Sequence, residues 1–229
     1  MATSDKRLVK SKSGLRMMYM DERIQSPFVI QEPPWTDSTQ CEKCQVKFDF
    51  IKRKHHCRRC GKCLCDSCCK NQATLPRMGF IDPVRHCQSC MTITKKENEF
   101  FDKHIKTLLA GGQFKLYRDD DDSEYLSGNV IKCALSTDHR YLQFEGDVEG
   151  LENIYIGKLE SVQIAAVSID HQGNRFGTGI AIRYVNALGN TAMIKLNVDD
   201  GAAHKQSTAW VAAMHKAFTL VYESRKTNT

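Results

Sequence analysis

Eight cysteines of this 229-residue chain fall as four Cys-x-x-Cys pairs between residues 41 and 90. The pairs are Cys41/Cys44, Cys57/Cys60, Cys65/Cys68 and Cys87/Cys90. A Cys-x-x-Cys pair turns tightly and offers both sulfur atoms to one ion, and four thiolates complete the tetrahedral shell of a structural Zn²⁺. The spacing therefore predicts a small module that is folded around two Zn²⁺ ions.

The spacing does not say which cysteine pairs share an ion. Sequential pairing would join the pair at Cys41 with the pair at Cys57, whereas interleaved pairing would join it with the pair at Cys65. Both arrangements leave Cys63 and Cys69 outside the ligand sets, because these two residues lack the spacing. The segment holds few apolar residues, so the metal must supply stability that a hydrophobic core this small cannot provide.

A dense cationic run, Arg53-Lys54-His55-His56-Cys57-Arg58, lies directly between the metal-ligand pairs. Arginine offers planar forks of donors that bind a phosphate group bidentately, which lysine cannot do. If the run is extended, alternate side chains point to opposite sides, so Arg53 and His55 should face away from Lys54, His56 and Arg58. We therefore expect side chains from both sides of the run to contact an anionic ligand, which would not lie on one flat face.

The distribution of charge places the anion-binding function in the N-terminal half. Residues 1–100 hold 19 Lys and Arg against 11 Asp and Glu, and the remaining residues hold 14 against 16. No segment approaches the run of about 20 apolar residues that a membrane-spanning helix needs. The N-terminus lacks the apolar core of a signal peptide, and Ala2 stands where myristoylation requires glycine. We expect a cytoplasmic protein whose cysteines bind metal rather than form disulfides.

The cationic run, together with Cys60-Gly61 and Val84-Arg85-His86-Cys87, resembles a FYVE zinc finger over about residues 35–92. The resemblance implies interleaved pairing: Cys41, Cys44, Cys65 and Cys68 on one zinc, and Cys57, Cys60, Cys87 and Cys90 on the other. The chain departs from the family at Trp35-Thr36-Asp37, which is one residue shorter than the Trp-x-x-Asp motif. It also carries His86 where the family has valine, which leaves Arg85 in register.

The resemblance also implies a ligand, phosphatidylinositol 3-phosphate, and the residues that hold it. The headgroup residues would be Arg53, Lys54, His55, His56, Arg58 and Arg85, with Asp37 at the shortened motif. The family places a hydrophobic turret just before the cationic run, and Phe50 and Ile51 match it. Burial of each side chain at the acyl boundary would contribute roughly 1.5–3 kcal/mol.

The sequence predicts an α+β multidomain protein with four segments. Residues 1–34 are predicted to be a basic flexible tail, 35–93 the finger, 94–112 a connecting helix and 113–226 a second domain. Thr94-Lys-Lys-Glu97 is a capping-box pattern, which predicts that the connecting helix begins there, and Gly111-Gly112 would end it.

Short β segments and a final amphipathic helix make up the second domain. The predicted strands are Phe114–Tyr117, Val130–Leu135, Tyr141–Phe144, Ile154–Ile156, Val162–Val167, Gly179–Tyr184 and Met193–Val198. The helix covers roughly Ala203–Glu223 and turns Trp210 towards the core. Seven strands followed by such a helix resemble a pleckstrin-homology-like (PH-like) β-barrel capped by a C-terminal helix.

These features favour a membrane-recruited adaptor rather than an enzyme. The run Asp119–Asp122 would repel phosphate, so we expect residues 113–226 to bind protein partners. The resemblance implies early endosomes, and also focal adhesions, as sites of action. Two alternatives are a RING-like ubiquitin ligase, which also binds two zinc ions in interleaved fashion, and a nucleic-acid-binding finger. The finger has neither the histidine ligand typical of RING modules nor interleaved aromatic and basic residues that favour single strands.

Overall fold

A computed structural model describes residues 6–11, 13–19, 26–118, 130–146 and 150–227 of the chain. The chain divides into two compact units. The first comprises 29–99 with the N-terminal residues, and the second comprises 100–226 with 26–28. The boundary therefore falls inside the predicted connecting helix. Among the described residues, no helix has the length and apolar character that crossing a bilayer requires.

The first unit begins with a β-hairpin where the sequence predicts a flexible tail. Strands β1 (Lys6–Ser11) and β2 (Gly14–Tyr19) pair antiparallel, and β2 also pairs with a later strand through Arg16 and Phe80. The Arg16 side chain donates to the Met78 carbonyl at 3.0 Å and forms an ion pair with Glu32 at 3.1 Å. The prediction of a flexible tail is wrong for these strands, because the contacts that stabilise them come from residues far along the chain.

The rest of the first unit consists of short strands and one helix. The elements are β3 (His55–His56), β4 (Cys63–Leu64), β5 (Asn71–Leu75), β6 (Phe80–His86) and α1 (Gln88–Glu99). One sheet has the order β1-β2-β6-β5, and β3 pairs with β4 in a two-stranded sheet of the described residues. Helix α1 begins at Gln88 rather than at Thr94, and Thr94 is buried in its interior. The capping-box interpretation is therefore wrong.

Two small apolar clusters make up the core of the first unit. One consists of Leu64 and cysteines, with Val46 and Phe48 packed against it. The other lies on the sheet and comprises Ile30, Leu75, Met78, Phe80 and Val84. Clusters of this size bury little surface, which agrees with the expectation that metal supplies much of the stability.

The described part of the second unit contains seven strands and a long C-terminal helix. A single π-helical turn (Phe100–His104) and α2 (Ile105–Ala110) precede the strands. The strands are β7 (Gly112–Arg118), β8 (Ile131–Leu135), β9 (Tyr141–Glu145), β10 (Ile154–Tyr155), β11 (Leu159–Ile169), β12 (Arg175–Val185) and β13 (Thr191–Val198), and α3 (His204–Thr227) follows. The predicted order of seven strands and one helix is confirmed.

The sheet of the second unit is antiparallel and open. Its strand order is β10-β9-β8-β7-β13-β12-β11, so the first strand, β7, pairs with both the second and the last. The PH-like layout that the sequence predicts agrees with this order, and among the described residues the sheet does not close on itself. Strand β10 has only two residues, which is too short to form a ladder along the eleven-residue edge strand β11.

Helix α3 packs its apolar face into one core that includes residues of every strand. Trp210 is fully buried, stacks edge-on against Phe114 with ring centroids 5.1 Å apart, and donates from Nε1 to the Leu108 carbonyl at 3.3 Å. Cys133 is buried in the same core. Trp210 therefore points into the core, as its helical spacing predicts.

Candidate metal centres and anion site

The structure brings the eight cysteines into two groups of four. Cys41, Cys44, Cys65 and Cys68 form one group, and Cys57, Cys60, Cys87 and Cys90 form the other. Within each group all sulfur atoms lie within 4.8 Å of one another. These are the interleaved sets, which the spacing alone left open.

In each group of four, the cysteine pair that comes first in the sequence lies on a tight backbone turn. These first pairs are Cys41/Cys44 and Cys57/Cys60. The amide of Gln45 donates to the Cys41 carbonyl at 2.8 Å, and the amide of Gly61 donates to the Cys57 carbonyl at 2.9 Å. Gln45 and Gly61 both adopt positive φ, at 64° and 73°. Each turn therefore folds the chain back immediately after the knuckle and directs two sulfur atoms to one point.

The chemistry of the two groups fits Zn²⁺. Four sulfur donors around one point match the preference of a structural zinc site, and five of the eight ligand cysteines are buried. Hydrogen bonds from the thiols of Cys60, Cys69 and Cys90 hold the pKa of Cys57 well below its usual value. The same hydrogen bonds raise the pKa of Cys60 and Cys90, so a cation is needed before all four sulfurs can be thiolates. Four thiolates around one zinc leave no open coordination position for catalysis.

One side of the cationic run contacts the segment that carries the shortened motif. Lys54 Nζ lies 2.6 Å from a carboxylate oxygen of Asp37, and His56 Nε2 lies 2.9 Å from the Thr36 carbonyl oxygen. The His56 ring stacks on Trp35 at 4.6 Å, and the Arg58 guanidinium lies 4.4 Å from the centre of the Trp35 ring. These three side chains thus hold the segment in place.

Arg58 is further committed to internal contacts. Its Nε donates to the Ser13 carbonyl at 2.7 Å, in the turn of the β1–β2 hairpin, and its Nη1 donates to the His56 carbonyl at 2.9 Å. Burial lowers the pKa of Arg58 from its usual value. Arg58, which the sequence predicts to bind the headgroup, therefore joins the hairpin to the cationic run.

Gly61 allows the motif segment to lie against the cationic run. The Thr36 amide donates to the Gly61 carbonyl at 3.0 Å. A Cβ atom at Gly61 would collide with the Pro34 carbonyl oxygen, and its φ of +73° disfavours any other residue. Asp37 itself has a largely exposed carboxylate, and its hydrogen bond with Lys54 lowers its pKa.

The other side of the run lines a pocket of about 500 Å³. Its walls are Cys44, Val46, Ile51, Lys52, Arg53, His55, Cys65, Asp66 and Ser67. Arg53 and His55 point into it, opposite to Lys54, His56 and Arg58, as the alternation predicts. Strand β3 covers only His55 and His56, so the alternation extends beyond the paired residues.

Arg85 and Asp66 place one positive and one negative charge beside the pocket. Arg85 Nη1 lies 2.7 Å from a carboxylate oxygen of Asp66, and the same oxygen lies 3.8 Å from His55 Nε2. Burial and the neighbouring charge of Arg85 lower the pKa of His55. The sequence analysis missed Asp66, because nothing in its position after Cys65 indicates which side chain it reaches.

An exposed apolar tip adjoins the pocket. The Phe50 side chain is 100% exposed and that of Ile51 is 91% exposed. A carboxylate oxygen of Asp49 accepts from the amides of Ile51 and Lys52 at 2.8 and 2.7 Å, which fixes the turn. Phe48 packs against the cysteine cluster instead. An ordered turn thus keeps both predicted turret residues exposed to solvent.

A buried ion-pair network that the sequence analysis missed ties α1 to the finger. Arg59 binds Glu97 with two hydrogen bonds of 2.7 and 2.8 Å, and Arg77 Nε lies 3.5 Å from the same carboxylate. All three side chains are largely buried, and that of Arg77 is only 1% exposed. The partners are separated by 20 residues or more, so sequence spacing carries no signal for them.

Comparisons with known proteins agree with this architecture. Vacuolar protein sorting-associated protein 27 of Yarrowia lipolytica is 47% identical over 64 residues, which is 28% of this chain and 11% of that protein. The hepatocyte growth factor-regulated tyrosine kinase substrate of Drosophila melanogaster is 41% identical over 64 residues, which is 28% of this chain and 8% of that protein. The chain thus spans about a tenth of the length of these relatives.

Solved structures match each unit in part. The VHS and FYVE tandem domains of Hrs, described as a protein involved in membrane trafficking and signal transduction, match with 39% identity and a TM-score of 0.28. This match covers 29% of this chain and 30% of that one. A PH domain from TgAPH matches with 12% identity and a TM-score of 0.33, covering 56% of this chain and 93% of that one.

Two family models match the chain. The model described as FYVE zinc finger matches residues 33–96, and the two Cys₄ groups are accordingly the sites of its two zinc ions. The model described as Zinc finger FYVE domain-containing protein 21 C-terminus matches residues 99–226, more than half of the chain. The chain therefore belongs to the zinc finger FYVE domain-containing protein 21 family, with a FYVE zinc finger ahead of that family's C-terminal region.

Proposed function

We propose that the first unit binds phosphatidylinositol 3-phosphate on endosomal membranes and thereby recruits the second unit to that surface as an adaptor. The observation that carries the proposal is that Ile51, at the apolar tip, and Arg53, in the cationic run, line the same pocket. A lipid headgroup at Arg53 would hold its acyl chains beside the tip. Soluble anions offer nothing for Phe50 and Ile51 to contact.

The headgroup residues would divide into two groups with different roles. Arg53, His55 and Arg85 would bind the 3-phosphate, because Arg53 and His55 line the pocket and Arg85 adjoins it through Asp66. A phosphate monoester carries close to two negative charges and several acceptor oxygens. Lys54, His56 and Arg58 would mainly support the pocket from behind, since they hold the Trp35–Asp37 segment.

Asp37 would act as an acceptor for an inositol hydroxyl only after Lys54 releases it. Its side chain is 86% exposed and forms an ion pair with Lys54 at 2.6 Å. An exposed ion pair of this kind contributes little stability, so the exchange of Lys54 for a ligand costs little.

Substitution of Arg53 by alanine should weaken binding to vesicles that contain phosphatidylinositol 3-phosphate by about tenfold to a hundredfold. A hydrogen bond to a charged group contributes roughly 1.5–3 kcal/mol. Arg53 makes no hydrogen bond or ion pair to the described residues that would complicate its removal. Cosedimentation with vesicles measures the change. Lys95→Ala, on the exposed surface of α1, removes the same charge from the same unit and should leave binding unchanged.

Substitution of Ile51 by glutamate should weaken binding to vesicles much more than binding to the soluble headgroup. The side chain is 91% exposed in water, so the change does not disturb the core. Loss of its insertion would remove roughly 1.5–3 kcal/mol of binding free energy, and the new carboxylate would add repulsion from an anionic surface. Undiminished partition of Ile51→Glu would refute insertion, and an equally large loss of binding to soluble inositol 1,3-bisphosphate would indicate a damaged pocket instead.

The second unit would bind a protein rather than a phosphoinositide. Among the described strands, the edge strand β11 leaves one row of backbone groups without a strand partner. No charged residue lies between Gln163 and Ile169. Val167 and Ile169 on this strand are exposed, which suits the addition of an extended segment from another chain. The predicted repulsive run Asp119–Asp122 lies outside the described residues. Binding of signalling or adhesion proteins by this unit, and focal adhesions as a site of action, stay predictions.

The full chain with both Arg53→Ala and Arg85→Ala tests whether only the first unit binds the lipid. We expect it to lose specific binding to phosphatidylinositol 3-phosphate vesicles, because the second unit contributes none. Retention of specific binding would contradict a protein-binding role. Competition by DNA for the wild-type chain would favour the nucleic-acid alternative, and discharge of ubiquitin from a conjugating enzyme would favour the RING-like one.

A further inference from the structure

Asp66 places a carboxylate where the pocket would receive an anion. One of its oxygens lies 2.7 Å from Arg85 Nη1 and 3.8 Å from His55 Nε2, and Asp66 itself lines the pocket with Arg53 and His55. Arg85 Nη1 also donates to the Cys69 carbonyl at 3.2 Å. The carboxylate is thus an internal anion among the cations of this site.

The position of Asp66 is not required by the packing of the finger. Its side chain is 68% exposed, whereas that of Arg85 is 31% exposed. An exposed ion pair of this kind contributes little to stability. Its backbone carbonyl, not its side chain, accepts from the Cys69 amide at 3.0 Å and shapes the turn between the zinc ligands. The carboxylate can therefore be removed without dismantling the turn.

A phosphate group and the Asp66 carboxylate would compete for the same donors. An N–H group of Arg85 that points at Asp66 cannot point equally well at a ligand oxygen. Two negative groups a few ångströms apart also repel each other, most strongly for a phosphate monoester with close to two charges. The ligand must displace the carboxylate before it can use Nη1 of Arg85, the atom that Asp66 occupies.

We propose that Asp66 is an intramolecular competitor of the phosphate monoester and sets the affinity of the finger for it. This inference rests on the proposed function. In the free finger Asp66 holds Arg85 and faces His55, and on a membrane the headgroup takes its place. Binding then depends on the combined action of the pocket and the apolar tip at Phe50 and Ile51, since the carboxylate offsets part of the phosphate attraction.

Asp66→Asn in the full chain tests the inference. The variant keeps the size of the side chain and removes its charge. We expect binding to vesicles of phosphatidylcholine with a few per cent phosphatidylinositol 3-phosphate to tighten by about tenfold. Soluble inositol 1,3-bisphosphate should show a gain in the same direction, because the competition involves the headgroup alone. Asp66→Ser should behave in the same way, and both variants should retain two zinc ions per chain.

A matched control separates local competition from a general change of charge. Asp82→Asn, on the exposed part of β6, also raises the net charge of the first unit by one, and Asp82 does not line the pocket. It should leave the affinity at the wild-type value. On vesicles in which phosphatidylserine supplies the same total charge, Asp66→Asn and Asp82→Asn should bind with equal affinity.

The possible results are distinguishable. Equal or weaker binding by Asp66→Asn and Asp66→Ser, with a wild-type chain that binds, overturns the inference and would make Asp66 a support for Arg85. Equal gains for Asp66→Asn and Asp82→Asn also overturn it. If neither the wild type nor any variant prefers phosphatidylinositol 3-phosphate over phosphatidylserine, the proposed function fails and the inference fails with it. Binding that appears only in Asp66→Asn and Asp66→Ser supports competition.

Discussion

Removal of zinc from the full chain is expected to unfold the first unit and to leave the second unit folded. The first unit has two small apolar clusters, one of them built largely from ligand cysteines, whereas the second has a continuous core around Trp210. Structural zinc sites contribute about 10–16 kcal/mol to the folding of small modules. The unit cannot replace this contribution from its own burial.

Chelation of the metal, followed by circular dichroism and by the fluorescence of Trp35 and Trp210, measures this result. The strand and helix signal of the second unit should persist with a separate thermal transition. Cys57→Ser should lower the zinc content from two ions to one per chain, whereas Cys63→Ala should retain two. Cys63 is equally buried in the same unit but lies outside both Cys₄ groups, so it is a matched control. Loss of zinc from Cys63→Ala would contradict the ligand sets.

Substitution of Glu97 by alanine is expected to lower the free energy of unfolding of the first unit by about 3–5 kcal/mol. The carboxylate binds Arg59 bidentately and lies 3.5 Å from Arg77 Nε, and its own side chain is 5% exposed. Its removal leaves two largely buried guanidinium groups without their shared anion. The cost of a buried charge that loses its counter-ion exceeds the benefit of the original pair.

Denaturant unfolding in zinc-buffered solution, followed by a probe of the first unit, measures the change. Lys96→Ala, which alters an exposed residue one position away on α1, should change stability by less than about 0.5 kcal/mol. A loss for Glu97→Ala as small as that of Lys96→Ala would mean that water already reaches the network. Glu97→Gln should fall between the two, since it keeps hydrogen-bonding capacity but no charge.

The sequence predicted the features whose signal is local. A Cys-x-x-Cys turn forms within four residues, so the eight candidate ligands could be identified from spacing. The alternation of the cationic run follows from the period of extended backbone, and it correctly separates Arg53 and His55 from Lys54, His56 and Arg58. The helical period of α3 likewise predicts that Trp210 is buried.

Features that depend on partners far along the chain could not be predicted. The β1–β2 hairpin is stabilised through Arg16, whose partners Met78 and Glu32 carry no periodic signal. The Thr94–Glu97 pattern resembles a helix start, but Glu97 instead binds Arg59 and Arg77. In both cases tertiary contacts, rather than local sequence preference, determine the structure. Whether the PH-like sheet closes could not be predicted from the sequence either, because closure depends on the length of an edge strand, and β10 has two residues.

By itself, the sequence determined that this protein has a thiolate-rich zinc module, a cationic run beside an apolar tip, and a strand-rich unit that ends in an amphipathic helix. These follow from residue type and short-range spacing. Only the tertiary structure decided which charges are available to a ligand. It ties Arg58 to the hairpin, Lys54 to Asp37, and Arg85 to Asp66. The physical reason is that an ion pair depends on distance in space, and these partners lie 17 to 45 residues apart along the chain.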